Sequence, residues 1–389
     1  MIETKFKQTE IGLIPEDWRY LTVGELCKVN TGSKNTQDKK ENGKYPFYVR
    51  SNDIERIDTY TYDCEAVLTV GDGVGTGKVF HYINGKFDVH QRVYIMNNFT
   101  DCIDGKYFYL VFAKNFYSRV HSMTAKSSVD SVRKEMITQM SIAVPPLPEQ
   151  QRIANVLTDI DSLLLSLDNL IAKKKAIKEG TMQQLLTGKK RLKGFDEPWV
   201  EKKIGDCLSI GNGRDYKYLT KGNVPVYGTG GLMCYVSDYL YNGETVCIGR
   251  KGTIDTPFFH KGRIWTVDTL FFTHSFIGVV PKYTYYLFTQ IKWKELNEAT
   301  GVPSLNKNNI LSVKVKLPTL LEQQAIAQVL TNMDSEISAL EAKRKKYESV
   351  KQGMMQQLLT GKIRLTSTPK EKLYFLTEPE SECCRVAEP

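Results

Sequence analysis

The residues that could bind a phosphate or carry out acid–base chemistry lie in short glycine-containing and charged loops. The segment GDGVGTGKV, residues 71–79, is similar to a phosphate-binding loop but departs from its spacing. A Walker A loop has four residues between its first glycine and its Gly-Lys pair, and then a Ser or Thr. Here five residues separate Gly71 from Gly77, Val79 replaces the hydroxyl, and Thr76 replaces the third glycine of a dinucleotide fingerprint. We therefore predict no nucleotide site.

Two other interpretations of this loop stay open. It is either a structural glycine turn or a loop whose small residues let the backbone approach DNA phosphate. Charged residues occupy comparable places after strand-like runs elsewhere, at His90–Arg92 and at Trp265–Asp268. Asp268 has no partner carboxylate at a useful spacing for acid–base catalysis, and no Ser/His/Asp set or acidic metal cluster is present. We predict a non-catalytic chain without a metal site.

Composition narrows the class of protein. The chain has 389 residues, which is enough for two or three domains, and a net charge of +9, which is compatible with a polyanionic partner. Eight cysteines without CxxC spacing indicate reduced thiols rather than disulfides or zinc ligands. No apolar run reaches the length of a membrane span, and the first residues, MIETKFKQTEIG, lack a signal-peptide core. We predict a cytoplasmic protein with no membrane partner.

A helical segment is written twice and organises the chain. The first copy opens at Glu149 as EQQRIANVLTDIDS and closes as MQQLLTG at Gly188. The second copy opens at Glu322 as EQQAIAQVLTNMDS and closes as MQQLLTG at Gly361. Both the opening and the closing parts are 173 positions apart, so no gap separates the copies. Such a match indicates a duplicated architecture.

Apolar spacing within the copies predicts a coiled coil, because it alternates between four and three residues. The predicted seam residues are Ile153, Leu157, Ile160, Leu164, Leu167, Ile171, Ile326, Leu330, Met333, Ile337 and Leu340. Each helix would be about 58 Å long at about 1.5 Å per residue. A helix with so narrow an apolar stripe needs a partner, and the nearest partner is the other copy. The heptads alone are equally compatible with a generic coiled-coil brace.

The parts outside the helices also repeat. Trp18 corresponds to Trp199, YPFYV to VPVYG, and AVLTVGDGVGT to TVCIGRKGT, while the loop residues differ. We predict an α+β fold with two similar mixed α/β domains, at residues 1–147 and 189–318, and an internal pseudo-twofold repeat. Two long antiparallel helices, at residues 148–188 and 319–361, would separate the domains, and residues 362–389 would form a flexible tail.

At this point the sequence resembles a known family. The segment PPLPEQQRIANVLTDID, the pair MQQLLTGKKRL and MQQLLTGKIRL, and the series VPVYGTGG, TVCIGRKGT and WTVDTLFF make it similar to the specificity (HsdS) subunit of type I restriction–modification systems. The resemblance runs from IPEDW to the second MQQLLTG. It implies two target-recognition domains, each reading one half of a bipartite, gapped site in double-stranded DNA, and two helices that fix the gap.

The resemblance also implies partners. The helices and domain bases would dock two modification subunits that hold S-adenosylmethionine and methylate adenine. Restriction subunits would add ATP- and Mg-dependent translocation and cleavage. The assembled complex would be an adenine-specific methyltransferase and an ATP-dependent endonuclease, whereas this chain would hold no cofactor and catalyse nothing.

Loop residues with hydrogen-bonding side chains are the candidate DNA readers. They are Lys44, Arg50, Asn52, Lys78, Gln91, Arg92, Lys126 and Ser127 in the first domain, and Arg214, Tyr227, Arg250, Lys251, Ser304 and Asn306 in the second. Each has a surface or structural role as its alternative. Two basic runs on the helices, Lys173–Lys175 and Ala342–Tyr347, are typical of a solvated face, with contact to phosphate or to an acidic partner as the alternative.

Three other functions are compatible with the sequence. The chain could serve a related gapped-site system in which modification and cleavage share one polypeptide, and a pulldown would identify that partner. It could be a coiled-coil scaffold that does not read DNA, which steeply salt-dependent, sequence-selective binding would exclude. It could also be an enzyme with an unrecognised site.

The coiled-coil seam leads to a testable prediction. Leu164→Asp places a charge among the apolar seam residues, so we expect the helices to separate and docking of the modification subunits to weaken. Size-exclusion chromatography of the co-expressed subunits measures this. Normal assembly of the variant would show that the seam is assigned to the wrong residues.

Overall fold

A computed structural model describes residues 4–73, 75–123 and 131–366, which fold as two compact units. Unit 1 comprises the residues up to Leu165 and those from Lys345 onward, and unit 2 comprises Ser166–Arg344. Each unit therefore contains part of each long helix, whereas the boundaries expected from the sequence set the helices apart from the domains.

Unit 1 is built from strands and helices that follow the predicted apolar runs. Its strands are β1 (Phe6–Thr9), β2 (Gly12–Pro15), β3 (Arg19–Thr22), β4 (Lys28–Thr31), β5 (Tyr45–Tyr48), β6 (Ile54–Ile57), β7 (Tyr62–Val70), β8 (Phe80–Val89), β9 (Val93–Asn97) and β10 (Ser141–Val144). Its helices are α1 (Val23–Leu26), α2 (Gly105–Met123), α3 (Lys134–Thr138) and the beginning of α4 (Leu147–Leu185), with a 3-10 turn at Thr36–Asp38.

A six-stranded sheet in the order β4-β9-β7-β8-β5-β6 forms the body of unit 1, and its one parallel pair is β5 with β8. Alternate residues of β7 are buried on opposite faces: Val67 packs in the same cluster as Phe108 and Phe112 of α2, and Ala66 and Leu68 pack in another. Burial on both faces explains why this strand reads as a continuous apolar run. Two small antiparallel sheets, β1–β2 and β3–β10, complete the unit.

Unit 2 repeats this architecture. Its strands are β11 (Val200–Lys203), β12 (Ser209–Asn212), β13 (Lys221–Gly228), β14 (Gly231–Val236), β15 (Tyr241–Gly249), β16 (Phe258–Thr266), β17 (Leu270–His274) and β18 (Lys314–Leu317). Its helices are α5 (Pro281–Gln290), α6 (Lys307–Ser312) and the beginning of α7 (Leu320–Leu358), with 3-10 turns at Ile204–Asp206 and Trp293–Leu296.

The sheet of unit 2 has the order β12-β17-β15-β16-β13-β14, which matches that of unit 1 strand for strand. The parallel pair recurs as β13 with β16, and the two-stranded sheet β11–β18 corresponds to β3–β10. The prediction of a duplicated α+β fold is therefore confirmed.

Within each unit the segments of α4 and α7 run antiparallel. In unit 2, Asp168 of α4 pairs with Arg344 of α7, and Lys178 pairs with Asp334, so residue numbers rise along one helix as they fall along the other. In unit 1, Asp161 pairs with Lys351 in the same sense. The predicted seam residues lie on buried or half-buried positions of these helices: Ile153, Leu157, Ile160, Leu164, Leu167, Ile171, Ile326, Leu330, Met333, Ile337 and Leu340.

A buried carboxylate ties the first turn of α4 into unit 1. The Glu149 side chain is only 2% exposed and accepts hydrogen bonds from Trp18 Nε1 at 3.2 Å and from Nε and Nη2 of Arg364 at 2.8 Å each. Arg364 also binds Asp17, at 2.6 and 2.8 Å, and its guanidinium lies 5.6 Å from the Trp18 ring centroid. These bonds hold the pKa of the Asp17 carboxyl below its usual range. We call Asp17, Trp18, Glu149 and Arg364 the unit 1 clasp.

The unit 2 clasp consists of Arg191, Trp199 and Glu322, and it repeats this arrangement. Arg191 Nε and Nη2 lie 2.6 and 2.7 Å from the Glu322 carboxylate at the first turn of α7, and Trp199 Nε1 donates to it at 3.2 Å. In both clasps the arginine stands three residues after the glycine that ends the other helix, Gly188 or Gly361. The recurring EQQ and RL segments are therefore partners in space.

The glycines that end the helices have the left-handed backbone expected of C-terminal caps, with φ of +71° at Gly188 and +70° at Gly361. A Cβ on Gly361 would also lie 2.4 Å from Pro15 Cγ, which no real Cβ tolerates. Residues 362–366, assigned to a flexible tail from the sequence, belong to unit 1, where Arg152 Nε donates to the Leu365 carbonyl at 2.7 Å. The rest of that predicted tail lies outside the described residues.

None of the helices described within residues 4–366 combines the length and the apolar character that crossing a bilayer requires.

The unit 1 clasp leads to a stability prediction. Arg364→Ala leaves the buried Glu149 carboxylate without its cation, so we expect unit 1 to lose about 3–5 kcal/mol of stability. Hydrogen exchange measured by mass spectrometry should show faster exchange in β2 and in the first turns of α4, and little change in unit 2.

The matched control for this variant is Lys39→Ala, which breaks an exposed ion pair with Glu55 at 3.0 Å. Its expected cost is below about 1 kcal/mol. Equal effects of Lys39→Ala and Arg364→Ala would contradict a structural role for the clasp.

Candidate nucleic-acid interface

Backbone hydrogen bonds hold three loops together beside the central strand of each sheet. In unit 1, Gly71 N donates to Arg92 O at 2.8 Å, and Val132 N donates to Gly71 O at 2.7 Å. In unit 2, Arg250 N donates to Thr269 O at 2.8 Å, and Leu305 N donates to Arg250 O at 2.9 Å. We call this meeting point of the loops the junction of each unit. Its backbone is the same in both units, whereas its side chains differ.

The junction of unit 1 brings two arginines onto one carboxylate. Asp72 follows β7, and its two oxygens contact Arg50 Nη1 at 3.1 Å and Arg92 Nη1. Partial burial acts to raise the pKa of the Asp72 carboxyl, but the hydrogen bonds from Arg92 and Arg50 outweigh it and lower the pKa. The group is therefore ionised at neutral pH. Beside it lies an open pocket of about 360 Å³, lined in part by Asp72, Gln91 and Arg92.

The junction of unit 2 is cationic at the equivalent position. The backbone of Lys251 forms an isolated antiparallel β-bridge with Ser304, as the backbone of Asp72 does with Ser131 in unit 1. The lysine therefore stands where unit 1 has an aspartate. Arg250 is exposed, and its guanidinium lies 5.9 Å from the Phe271 ring centroid. The arrangement presents two positive side chains at the edge of the sheet.

A groove next to this junction was not anticipated from the sequence. The tight turn between β13 and β14 lines a groove of about 650 Å³ together with Val267–Thr269. Two apolar side chains at the beginning of β14, Leu232 and Met233, also line the groove and are half exposed. The segment GTGG marks the turn in the sequence, but the sheet order that places it beside Thr269 was not predictable from local spacing.

The predicted readers of unit 1 fall into two groups. Arg50, Gln91 and Arg92 meet at the junction, where Gln91 Nε2 donates to Asn35 Oδ1 at 2.7 Å. Lys44, Asn52 and Lys78 are exposed; the ammonium of Lys78 lies 5.7 Å from the Tyr117 ring centroid. Lys126 and Ser127 lie outside the described residues.

The predicted readers of unit 2 divide in the same way. Arg250, Lys251 and Ser304 meet at the junction. Asn306 is the N-cap of α6 and accepts a hydrogen bond from Asn308 N at 2.9 Å, so its oxygen has a structural role. Tyr227 packs with Phe258 at a ring-centroid distance of 5.0 Å and is half buried. Arg214 is exposed, and its carbonyl accepts from Trp265 Nε1 at 3.0 Å.

The two junctions offer hydrogen-bond donors rather than reactive groups. Within residues 4–73, 75–123 and 131–366, no three His, Cys, Asp or Glu side chains cluster as metal ligands. Burial raises the pKa of the Cys27 thiol to about 12, and desolvation lowers the pKa of His81. These groups therefore stay neutral near pH 7. Exposed guanidinium, ammonium and amide groups are the types that bind DNA bases and phosphates.

Comparison with known proteins identifies one family for both halves of the chain. The family described as type I restriction modification DNA specificity domain matches the chain twice, at residues 15–179 and 196–350. The MjaVIII specificity subunit of Methanocaldococcus jannaschii, a type I restriction enzyme subunit, is 24% identical over 93% of this chain and 97% of its own length. The EcoDI specificity subunit of Escherichia coli is 30% identical over 42% of this chain and 34% of its own length.

Solved structures share the fold. The crystal structure of a type I restriction–modification S subunit from M. genitalium superposes with a TM-score of 0.67 at 17% identity, covering 92% of this chain and 99% of that one. The two matches of the family profile fall on the two halves of the duplicated fold and together span most of the sequence. The chain belongs to the type I restriction–modification specificity subunits.

Proposed function

We propose that each unit reads one half of a bipartite, gapped sequence in double-stranded DNA. One observation carries the proposal: the same backbone hydrogen bonds form at both junctions, but the side chains differ. Unit 1 has Asp72 and Arg92 where unit 2 has Lys251 and Thr269. A backbone that repeats while its charged and hydrogen-bonding side chains change is suited to two different target sequences. A net charge of +9 supports a polyanionic partner.

The donors at the junctions suit both kinds of DNA contact. Arginine and lysine bind guanine O6 and N7 in the major groove, and amide side chains bind adenine. The same cations on phosphates fix the register of a protein on the duplex without reading sequence. We assign the base-reading role to the predicted residues at the junctions and the phosphate-contacting role to exposed lysines such as Lys44 and Lys78.

We further propose that the long helices fix the gap between the half-sites and dock two modification subunits. Apolar side chains on α4 are exposed at Leu163, Leu165, Leu170 and Ile177, and such residues support docking of a partner. A chain from a structure described as bearing on complex assembly of the type I R-M system has the same fold, with a TM-score of 0.53 at 13% identity.

In this proposal the chemistry belongs to the partners, and the assembled complex works in the cytoplasm. The modification subunits would hold S-adenosylmethionine and methylate adenine, and restriction subunits would use ATP and Mg to translocate and cleave DNA. This chain would hold none of these cofactors and would supply the sequence preference.

A map of modified bases tests the proposal. We expect a split motif with a fixed gap to be methylated in cells that express this chain with its modification subunits. Cells that lack only this chain are the control. Absence of a chain-dependent motif from a complex that assembles normally would contradict sequence reading by this chain.

Arg250→Ala tests the assignment of half-sites to units. Because Arg250 stands at the junction of unit 2, we expect its removal to relax one half of the motif by about 1–3 kcal/mol per contacted base pair and to leave the other half intact. The same modified-base map measures this. An unchanged motif would remove Arg250 from the set of readers.

A further inference from the structure

Three charged side chains meet in the junction of unit 1 in a way that the fold does not require. Arg50, Asp72 and Arg92 come from the loop after β5, the loop after β7 and the turn between β8 and β9. In unit 2 the same backbone hydrogen bonds form with Lys251 in place of Asp72 and Thr269 in place of Arg92. The duplicated frame therefore folds without an acidic residue at this position.

Stability does not account for the cluster either. The Arg50 and Arg92 side chains are 47% and 60% exposed, whereas the Asp72 side chain is 16% exposed, so both ion pairs are open to water on the arginine side and contribute modestly to folding. What the Asp72 carboxylate does accomplish is to fix two long, flexible side chains in defined positions beside an open pocket. Such ordering before binding reduces the entropy that a recognition event must overcome.

The free edges of the arginines identify the chemistry of the ligand. Asp72 engages Nη1 of Arg50 and Nη1 of Arg92, and within residues 4–73, 75–123 and 131–366 neither guanidinium has another hydrogen-bond acceptor, so Nε and Nη2 of each form an adjacent pair of donors on the opposite edge. Two adjacent donors match two adjacent acceptors. Guanine presents such a pair in the major groove, O6 and N7, whereas adenine and cytosine present amino donors that a guanidinium cannot satisfy.

Phosphate is the other ligand with paired acceptors, and Asp72 disfavours it. Its carboxylate neutralises one of the two guanidinium charges, which weakens the attraction of the cluster for an anion. The guanine edge is uncharged, so its hydrogen bonds do not depend on that attraction. Recognition of a base rather than of the DNA backbone is therefore favoured at this position.

We propose that Asp72 is a positioning residue that holds Arg50 and Arg92 to bond guanine, so that the half-site read by unit 1 contains guanine. This deepens the proposed function and rests on it, because it takes DNA as the ligand. Unit 2, with Lys251 at this position, lacks the positioning carboxylate and reads its half-site differently.

Variants of the full complex test the proposal by binding and by the modified-base map. The half-site that Arg250→Ala does not alter is that of unit 1. We expect Arg50→Ala and Arg92→Ala each to lower the preference for guanine at one position of that half roughly ten- to hundred-fold. Arg19→Ala, which removes an exposed arginine from β3, is the matched control and should leave the motif unchanged.

The variant Asp72→Asn distinguishes a role of Asp72 in positioning the two arginines from a role in folding. It keeps the size of the side chain and removes one negative charge, so we expect discrimination at the guanine positions to fall while affinity for unrelated duplex DNA rises. A merely structural role would lower both together. Asp72→Asn with unchanged discrimination would overturn the proposal.

A test on the unmodified protein does not depend on any variant folding. Replacing guanine by 7-deazaguanine, which lacks the N7 acceptor but keeps O6, in the unit 1 half-site should weaken binding measurably, though by less than Arg50→Ala or Arg92→Ala does, because one of the two hydrogen bonds remains. No effect of 7-deazaguanine would overturn the proposal, as would a unit 1 half-site without guanine. Uniform weakening on all duplexes by Arg92→Ala, with a salt slope reduced by about one, would assign a phosphate contact instead.

These results distinguish a failure of the guanine assignment from a failure of the proposed function. If the complex of the unmodified chain shows a split motif but the outcomes above fail, only the guanine assignment falls. If it shows no sequence preference at all, the proposed function itself fails, and the guanine assignment fails with it.

Discussion

The structure depends on two carboxylates buried at the first turns of the long helices. Glu149 and Glu322 are almost fully enclosed, and a buried charge is tolerated only when a counter-charge and hydrogen bonds compensate its lost hydration. An arginine and an indole N–H meet that need in each unit. The positive end of the helix dipole also favours an anion there. Each clasp thus makes the geometry of a helix end specific, because another arrangement would leave the charge unpaired.

The contacts that stabilise the fold are separate from the side chains at the junctions, so those side chains can differ between the units. The cores, the clasps and the backbone hydrogen bonds around Gly71 and Arg250 hold the two sheets, and the exposed side chains at the junctions contribute little to that. Exchanging Asp72 for lysine, as the second copy of the frame does, therefore leaves the backbone unchanged. A scaffold whose stability is separate from its recognition residues can present different residues to different targets.

The sequence predicted the two long helices, whose pattern is local, but not the strand order or the side-chain clusters, which depend on residues far apart in the chain. The seam periodicity gave both long helices, whose beginnings fall within one residue of expectation at Leu147 and Leu320. The order of strands carries no local signal, because β12 pairs with β17 and the parallel pair joins β13 to β16. Arg50 and Asp72 are 22 residues apart, and Glu149 and Arg364 are 215 apart. Asp72 was therefore read only as part of a glycine loop, and the RL segments only as marks of the repeat.

The clasps also give the duplication a physical meaning. The helix α4, with Glu149 in its first turn in unit 1, leads to Arg191 in unit 2, and α7, with Glu322 in its first turn in unit 2, leads to Arg364 in unit 1. Each copy of the repeat therefore supplies the glutamate of one clasp and the arginine of the other. Neither buried carboxylate is neutralised by its own copy, so each unit draws its counter-charge from the other copy. Because both copies belong to one chain, each arginine reaches its glutamate within the same molecule. Every chain therefore contains one junction of each kind, and the two junctions can carry different residues.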